Sequence, residues 1–166
     1  PTNDLASQLM DILTNKLQLK VIIGVGNIAK SIKEINKSYK EANMAILIGG
    51  MFQPQKVIIS YNNLGIGRLI YQLPITLCEL FLKEVFKDGT IESLDEETLY
   101  TIEKFFENNL NVSETSRKLF IHRNTLVYRL DKIQKITGLD LKLFDDAITF
   151  KVAMLVRQYL QNNEMY

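Results

Sequence analysis

The chain holds almost nothing with which to do metal or thiol chemistry. Its 166 residues include one cysteine, Cys78, and one histidine, His122. A single cysteine excludes an internal disulfide and fits a reducing cytoplasm. It also leaves no metal-ligand cluster and no Cys–His dyad of local spacing, so neither a metal nor another cofactor is expected. No apolar run is long enough to span a membrane, and no signal peptide is visible, so no membrane role is expected. Net charge is scarce as well, at +1. Residue 1 is Pro rather than Met, so the chain is read as a fragment or a processed product. What it does have is apolar mass: 46% of residues, enough for the core of one ordinary domain or two small ones.

The small net charge hides an uneven distribution. From Asn111 to Lys142 the bases are Arg117, Lys118, Arg123, Arg129, Lys132, Lys135 and Lys142, against the acids Glu114, Asp131 and Asp140. From Asp88 to Asn109 the acids are Asp88, Glu92, Asp95, Glu96, Glu97, Glu103 and Glu107, against Lys104 alone. Such contrast between neighbouring segments suits a module with one basic face.

Periodicity sets out the elements. Leu5, Leu9, Ile12, Leu13 and Leu17 make Asp4–Leu17 a helix, with Asp4 able to cap it. Lys20–Val25 reads as a buried strand. Ser31–Ile48 reads as a helix with Ile32, Ile35, Tyr39, Ala42, Ala45 and Ile46 near one face, stopped by Gly49-Gly50. Val57–Tyr61 is a second strand, followed by an Asn62-Asn63 turn. A short helix covers Leu64–Gln72, and Pro74 starts an apolar helix to about Phe86. Beyond it the pattern is helical only. Ser93 or Asp95 opens a helix ending near Asn109, and a final helix spans about Asp145–Leu160, with Ile148, Val152, Leu155 and Tyr159 in register. The composition changes at Lys87–Leu94. The expected organisation is an α+β half, residues 1–90, followed by an all-α domain, residues 91–166.

The string Asn111–Ile133, NVSETSRKLFIHRNTLVYRLDKI, reads as a short helix, a tight turn and a longer helix. That is the outline of a helix-turn-helix, whose second helix enters the DNA major groove. Asn111 or Ser113 can cap the first helix, and Glu114 suits its positive end. Val112 and Leu119 form its apolar side, Ser116 allows close approach, and Ile121 plugs the turn. On the second helix, Leu126, Leu130 and Ile133 recur at steps of four and three and so face the core. Asn124, Tyr128 and Lys132 recur on another face. In this reading Arg123 forks onto guanine and Asn124 bridges adenine. Thr125, Tyr128, Arg129 and Lys132 bond phosphates, Arg117 and Lys118 touch the adjoining backbone, and His122 caps the helix or contacts a phosphate.

The wider string TLYTIEKFFENNLNVSETSRKLFIHRNTLVYRLDKIQKITGLDL, Thr98–Leu141, resembles the C-terminal DNA-binding domain of the purine catabolism regulator and carbohydrate (sugar) diacid regulator families. His122-Arg123-Asn124-Thr125-Leu126 is also similar to the N-R-x-T-L turn of a small nucleoid protein family. The turn position often held by glycine is Phe120 here, so no left-handed residue is assumed there. Upstream, VIIGVGNIAKSIKEINKSYKEANMAI and YNNLGIGRLIYQLP resemble the degenerate GGDEF-like domain of the diacid regulators. That resemblance implies a partial GGDEF-like region whose signature hairpin falls before residue 1. It also implies a bacterial transcription regulator without enzymatic activity, acting on operator DNA in the cytoplasm. An effector would be bound by a further domain upstream. Helix Ile75–Phe86 is apolar nearly all round, and core burial is its default reading. Reading paired half-sites implies a homodimer, for which this helix and the α+β half are the candidate contact.

Two rival readings are weighed against this one. Gly24-Val25-Gly26-Asn27-Ile28-Ala29 fits a loose G-x-G-x-x-A dinucleotide turn, but the acidic residue expected about twenty positions on is missing. A strand-end turn is therefore preferred to a nucleotide site. An interaction or dimerisation module without DNA binding is the other alternative. Cys78, between Leu77 and Leu80, is read as packed rather than reactive.

Overall fold

The computed structural model describes residues 2–86 and 93–163. The chain divides into two compact units: Pro1–Pro74 with Gln158–Tyr166, and Ile75–Arg157. The first is mostly helical around a small parallel sheet; the second is helical throughout its described residues.

The first unit opens with α1, Thr2–Asp11, whose winding widens into a π-type segment at Ile12–Lys16. Strand β1, Ile23–Val25, pairs in parallel with β2, Ile58–Ser60, in the register Ile23↔Ile58, Gly24↔Ile59, Val25↔Ser60. Parallel strands need a crossover, and α2, Ile35–Phe52, supplies it after a 3-10 turn at Ile32–Glu34. A second 3-10 turn at Tyr61–Asn63 and the short α3, Gly67–Ile70, complete the run. The core is small: Ala45, Ile48, Ile59 and Leu64, with Met44, Phe52, Tyr61 and Tyr71 around it. Tyr159 and Gln158, from the end of the last helix, belong here. Tyr159 meets Tyr71 edge to face, and Gln158 donates to the Met51 carbonyl at 2.6 Å.

Three expectations are corrected in this unit. The leucine stripe of α1 is not a buried face, since Leu5, Leu9, Ile12 and Leu17 are all exposed and Ala6 is the buried residue. Helix α2 buries Glu41, Ala45, Ile48, Gly49 and Met51 rather than the Ile32, Ile35 and Tyr39 side. It also runs through Gly49-Gly50 to Phe52. A Cβ on Gly49 would meet the Ile59 side chain at 2.4 Å, so that glycine admits β2 instead of ending the helix.

The second unit begins with α4, Ile75–Val85. The sequence draws its line at residue 90, and most of Lys87–Leu94 falls outside the described residues. The packing of Phe81, Leu82, Val85 and Phe86 on the helical core assigns α4 to this unit. There follow α5, Glu96–Glu107, α6, Val112–Lys118, α7, Arg123–Thr137, and α8, Phe144–Asn163. The buried centre combines Phe105, Leu126, Leu130, Ile133, Leu141 and Phe150. On α8 the buried side is Ala147, Phe150, Ala153 and Val156, while Ile148, expected inward, is exposed. No helix among the described residues is long and apolar enough to cross a membrane.

Candidate nucleic-acid interface

Helices α5, α6 and α7 touch one another, and their ends are set by short-range chemistry. Asp95, not Ser93, caps α5: its side chain accepts from the Thr98 N–H at 2.7 Å. The Thr98 hydrogen bonds, backed by the charge of Lys132, hold the Asp95 carboxyl below its ordinary range. Asn111, not Ser113, caps α6 by accepting from the Glu114 N–H at 3.0 Å. His122 caps α7: its Nδ1 accepts from the Asn124 N–H at 3.3 Å. Gly138, in a left-handed conformation, closes α7 as its position after the last helical residue suggests.

The turn between α6 and α7 corrects one expectation. Phe120 is left-handed, with φ +54. The Phe120 N–H donates to the Arg117 carbonyl at 3.2 Å, and the Ile121 N–H to the Ser116 carbonyl at 3.0 Å. This is a Schellman closure, with Ile121 packed against the core as the plug. The same closure ends α5, where the left-handed residues are Asn109 and Leu110. The Phe120 ring is 95% exposed, so it gains little burial against a left-handed strain of about 1–2 kcal/mol. Phe120→Gly removes that strain at an entropic cost of about 0.5–1 kcal/mol. It is expected to stabilise the fold by up to about 1 kcal/mol, read as a raised Tm. A lowered Tm would mean that the ring makes a contact the fold needs.

Leu126, Leu130 and Ile133 are fully buried, as their spacing requires, and they fix which side of α7 faces outward. Arg117, Lys118, His122, Arg123, Asn124, Thr125, Tyr128 and Lys132 are all exposed at the end of α6 or along α7. Asn124, Tyr128 and Lys135 share the side directly opposite the core, by steps of four and seven. Arg117 is paired with Glu114 on its own helix. Among the described residues no carboxylate lies within ion-pair distance of Lys118, Arg123 or Lys135.

Arg129 differs from the others. It turns toward α5, pairing with Glu97 and donating to the Thr101 hydroxyl at 3.1 Å. Lys132 leans the same way, 3.4 Å from Asp95. Asp95 and Glu97 therefore belong to this surface, with the buried Thr101 beneath it, although the motif contains none of them. A signal was present: Arg129 lies three residues after Leu126 and four before Ile133, which puts it on the edge of the packed face.

The glycine-rich turn of the first unit does not form a phosphate cradle. A Cβ on Gly24 would lie 2.2 Å from the Ala42 carbonyl oxygen, and one on Gly26 2.1 Å from that of Ser38, so both glycines admit the backbone of α2. The Asn27 N–H donates to the Glu41 carboxylate at 2.9 Å, and the Lys30 N–H to that of Glu34 at 2.9 Å. Carboxylates thus hold donors that a phosphate would need. Cys78 is buried, and burial, with the charge of Glu79, pushes its thiol up and away from thiolate reactivity.

Residues 98–156, from α5 into α8, match the PucR C-terminal helix-turn-helix domain. The chain is 29% identical over 143 residues to the purine catabolism regulatory protein of Bacillus subtilis, covering 82% of this chain and 26% of that protein. It is 31% identical over 154 residues to the carbohydrate diacid regulator of Escherichia coli, covering 89% and 38% respectively. It is 34% identical over 135 residues to the proline-responsive transcriptional activator PutR of B. subtilis, covering 78% and 32%. The chain therefore spans between about a quarter and two fifths of the length of these relatives.

Proposed function

The chain belongs to the family of regulators that carry the PucR C-terminal helix-turn-helix domain, and from that premise we propose that it binds operator DNA and regulates transcription. One observation carries the reading. The N-terminal turn of α7 offers Arg123, Asn124 and Thr125 to solvent while Leu126, Leu130 and Ile133 anchor the helix from behind. A recognition helix needs that arrangement, because its first residues meet base edges in the major groove. Arg123 and Asn124 have the donor and acceptor geometry for guanine and adenine. Lys118, Thr125, Tyr128 and Lys132 are suited to phosphates, with Arg117 and His122 beside them.

In this proposal two copies read paired half-sites as a homodimer in the cytoplasm. The α4 side chains Ile75, Leu77 and Leu80, each about half exposed, are the candidate contact. The β1–α2–β2 crossover supports, as a reading, a GGDEF-like first unit with a linking or dimerising role. The regulated genes would form a catabolic operon, of the carbohydrate diacid kind or a related one, and the effector would bind outside these 166 residues. No step here is enzymatic.

A mobility-shift assay on the DNA upstream of the chain's own operon tests the reading. Arg123→Ala and Asn124→Ala are each expected to cost about 1–3 kcal/mol on the operator and far less on random duplex. Wild-type binding no tighter to that DNA than to random sequence, at physiological salt, would defeat specific regulation.

A further inference from the structure

We infer that Arg129 is a positioning residue of the DNA-reading surface, which sets the roll of α7 against α5 and does not itself contact phosphate. The inference rests on the DNA-binding reading above and assigns that surface a support outside the motif. Arg129 is forked: one guanidinium nitrogen meets Thr101 Oγ1 at 3.1 Å and the other meets Glu97. The Thr101 hydroxyl is fully buried and donates to the Glu97 carbonyl at 2.8 Å, which leaves its lone pairs for the guanidinium. One turn on, Lys132 faces Asp95, the residue that caps α5.

The Glu97 side chain is 70% exposed, so the ion pair contributes little to stability. Its planar two-point geometry is what matters, because it fixes an angle that a single contact leaves free. It also occupies the Arg129 edge of α7 and sets carboxylates beside it. The face left for DNA is the side of Asn124, Tyr128 and Lys135, with Arg123 at the leading end.

The test uses the whole chain and two probes: a random-sequence duplex, and the sequence the wild type selects from a randomised duplex pool. On random duplex, the fall of log K with log salt counts the phosphates contacted, at about 0.9 each. Arg129→Met is expected to leave that slope unchanged while lowering the preference for the selected sequence about tenfold. Arg129→Lys is expected to fail to restore the preference, because an ammonium cannot span Thr101 and Glu97. Glu97→Gln is expected to lower the preference as well, although it removes a negative charge near DNA. A slope reduced by about 0.9 and restored by Arg129→Lys would make Arg129 a phosphate contact and overturn the inference. A lowered Tm with preference intact would overturn it too, leaving a structural pair only. Should the wild type show no sequence preference, the DNA reading fails, and with it the role assigned to Arg129. A double-mutant cycle in unfolding, Arg129→Met with Glu97→Gln, would then show by its coupling whether the pair itself exists.

Discussion

Gly26→Ala is expected to destabilise the first unit by about 3 kcal/mol, at the upper end of what overpacking costs. The added Cβ would stand 2.1 Å from the Ser38 carbonyl oxygen and 2.9 Å from its carbon, far inside contact distance. The obstacle is helix backbone, which cannot swing aside as the tip of a side chain can. The strand end is also tied to that helix: the Ser38 hydroxyl donates to the Asn27 carbonyl at 2.5 Å, and the Asn27 N–H donates to Glu41. Relieving the clash therefore means breaking those bonds or parting β1 from α2, and the small core around Ile48 and Ile59 has little with which to compensate. Gly50→Ala is the matched control, with nothing within 4 Å of the new methyl. It sits inside a helix, so it should stabilise by roughly 0.5–1 kcal/mol. Urea unfolding of the two variants should move the midpoint in opposite directions. Equal midpoints would mean that the strand end and α2 do not approach this closely.

Gly24 and Gly26 show how far local pattern reaches. The strands, the crossover helix and a tight strand end were legible, because each leaves a mark within a few residues. What the glycines were for was not legible, since the carbonyls they admit belong to Ser38 and Ala42, a turn or more into the next helix. Gly49-Gly50 misled for the same reason. Two glycines after a helical run mark a stop unless a distant side chain, here Ile59, needs the space. The leucine stripe of α1 failed differently. Periodicity identifies a face, but it does not supply a surface to cover that face.

The candidate interface was legible wherever its determinants are local. Asn111 and His122 cap helices through bonds two or three residues long, and Leu126, Leu130 and Ile133 follow the helical repeat. Arg129 and Lys132 read as free cations because their partners lie 32 and 37 residues away, on α5. Charge counting saw an acidic segment before a basic one and took the contrast as a single basic face. Folding brings the acidic first turn of α5 beside α7, so part of that charge is neutralised within the chain. Phe120 escaped because aromatic side chains seldom take a left-handed conformation, whereas Asn109, in the equivalent closure of α5, is a residue type that tolerates it.

Phe105→Ala is expected to cost the second unit about 3–5 kcal/mol. Phe105 is fully buried, and the core around it contains the three α7 residues that orient the DNA-reading face, together with Leu141 and Phe150. A domain of this size has about 5–15 kcal/mol of total stability, so the loss takes a large share of it. Tyr100, on the same helix but half exposed, is the contrast: its ring lies over Lys104, and Tyr100→Ala should cost no more than about 1 kcal/mol. Denaturant unfolding gives both values, and a loss below about 1 kcal/mol for Phe105→Ala would remove it from the core. The two variants also separate stability from recognition. A cavity beneath α7 frees Leu126, Leu130 and Ile133 to repack, so Phe105→Ala should weaken DNA binding even where the protein is still folded. Tyr100→Ala leaves that support intact and should bind as the wild type does. The reading face of α7 is thus only as well defined as the apolar contacts on its opposite side.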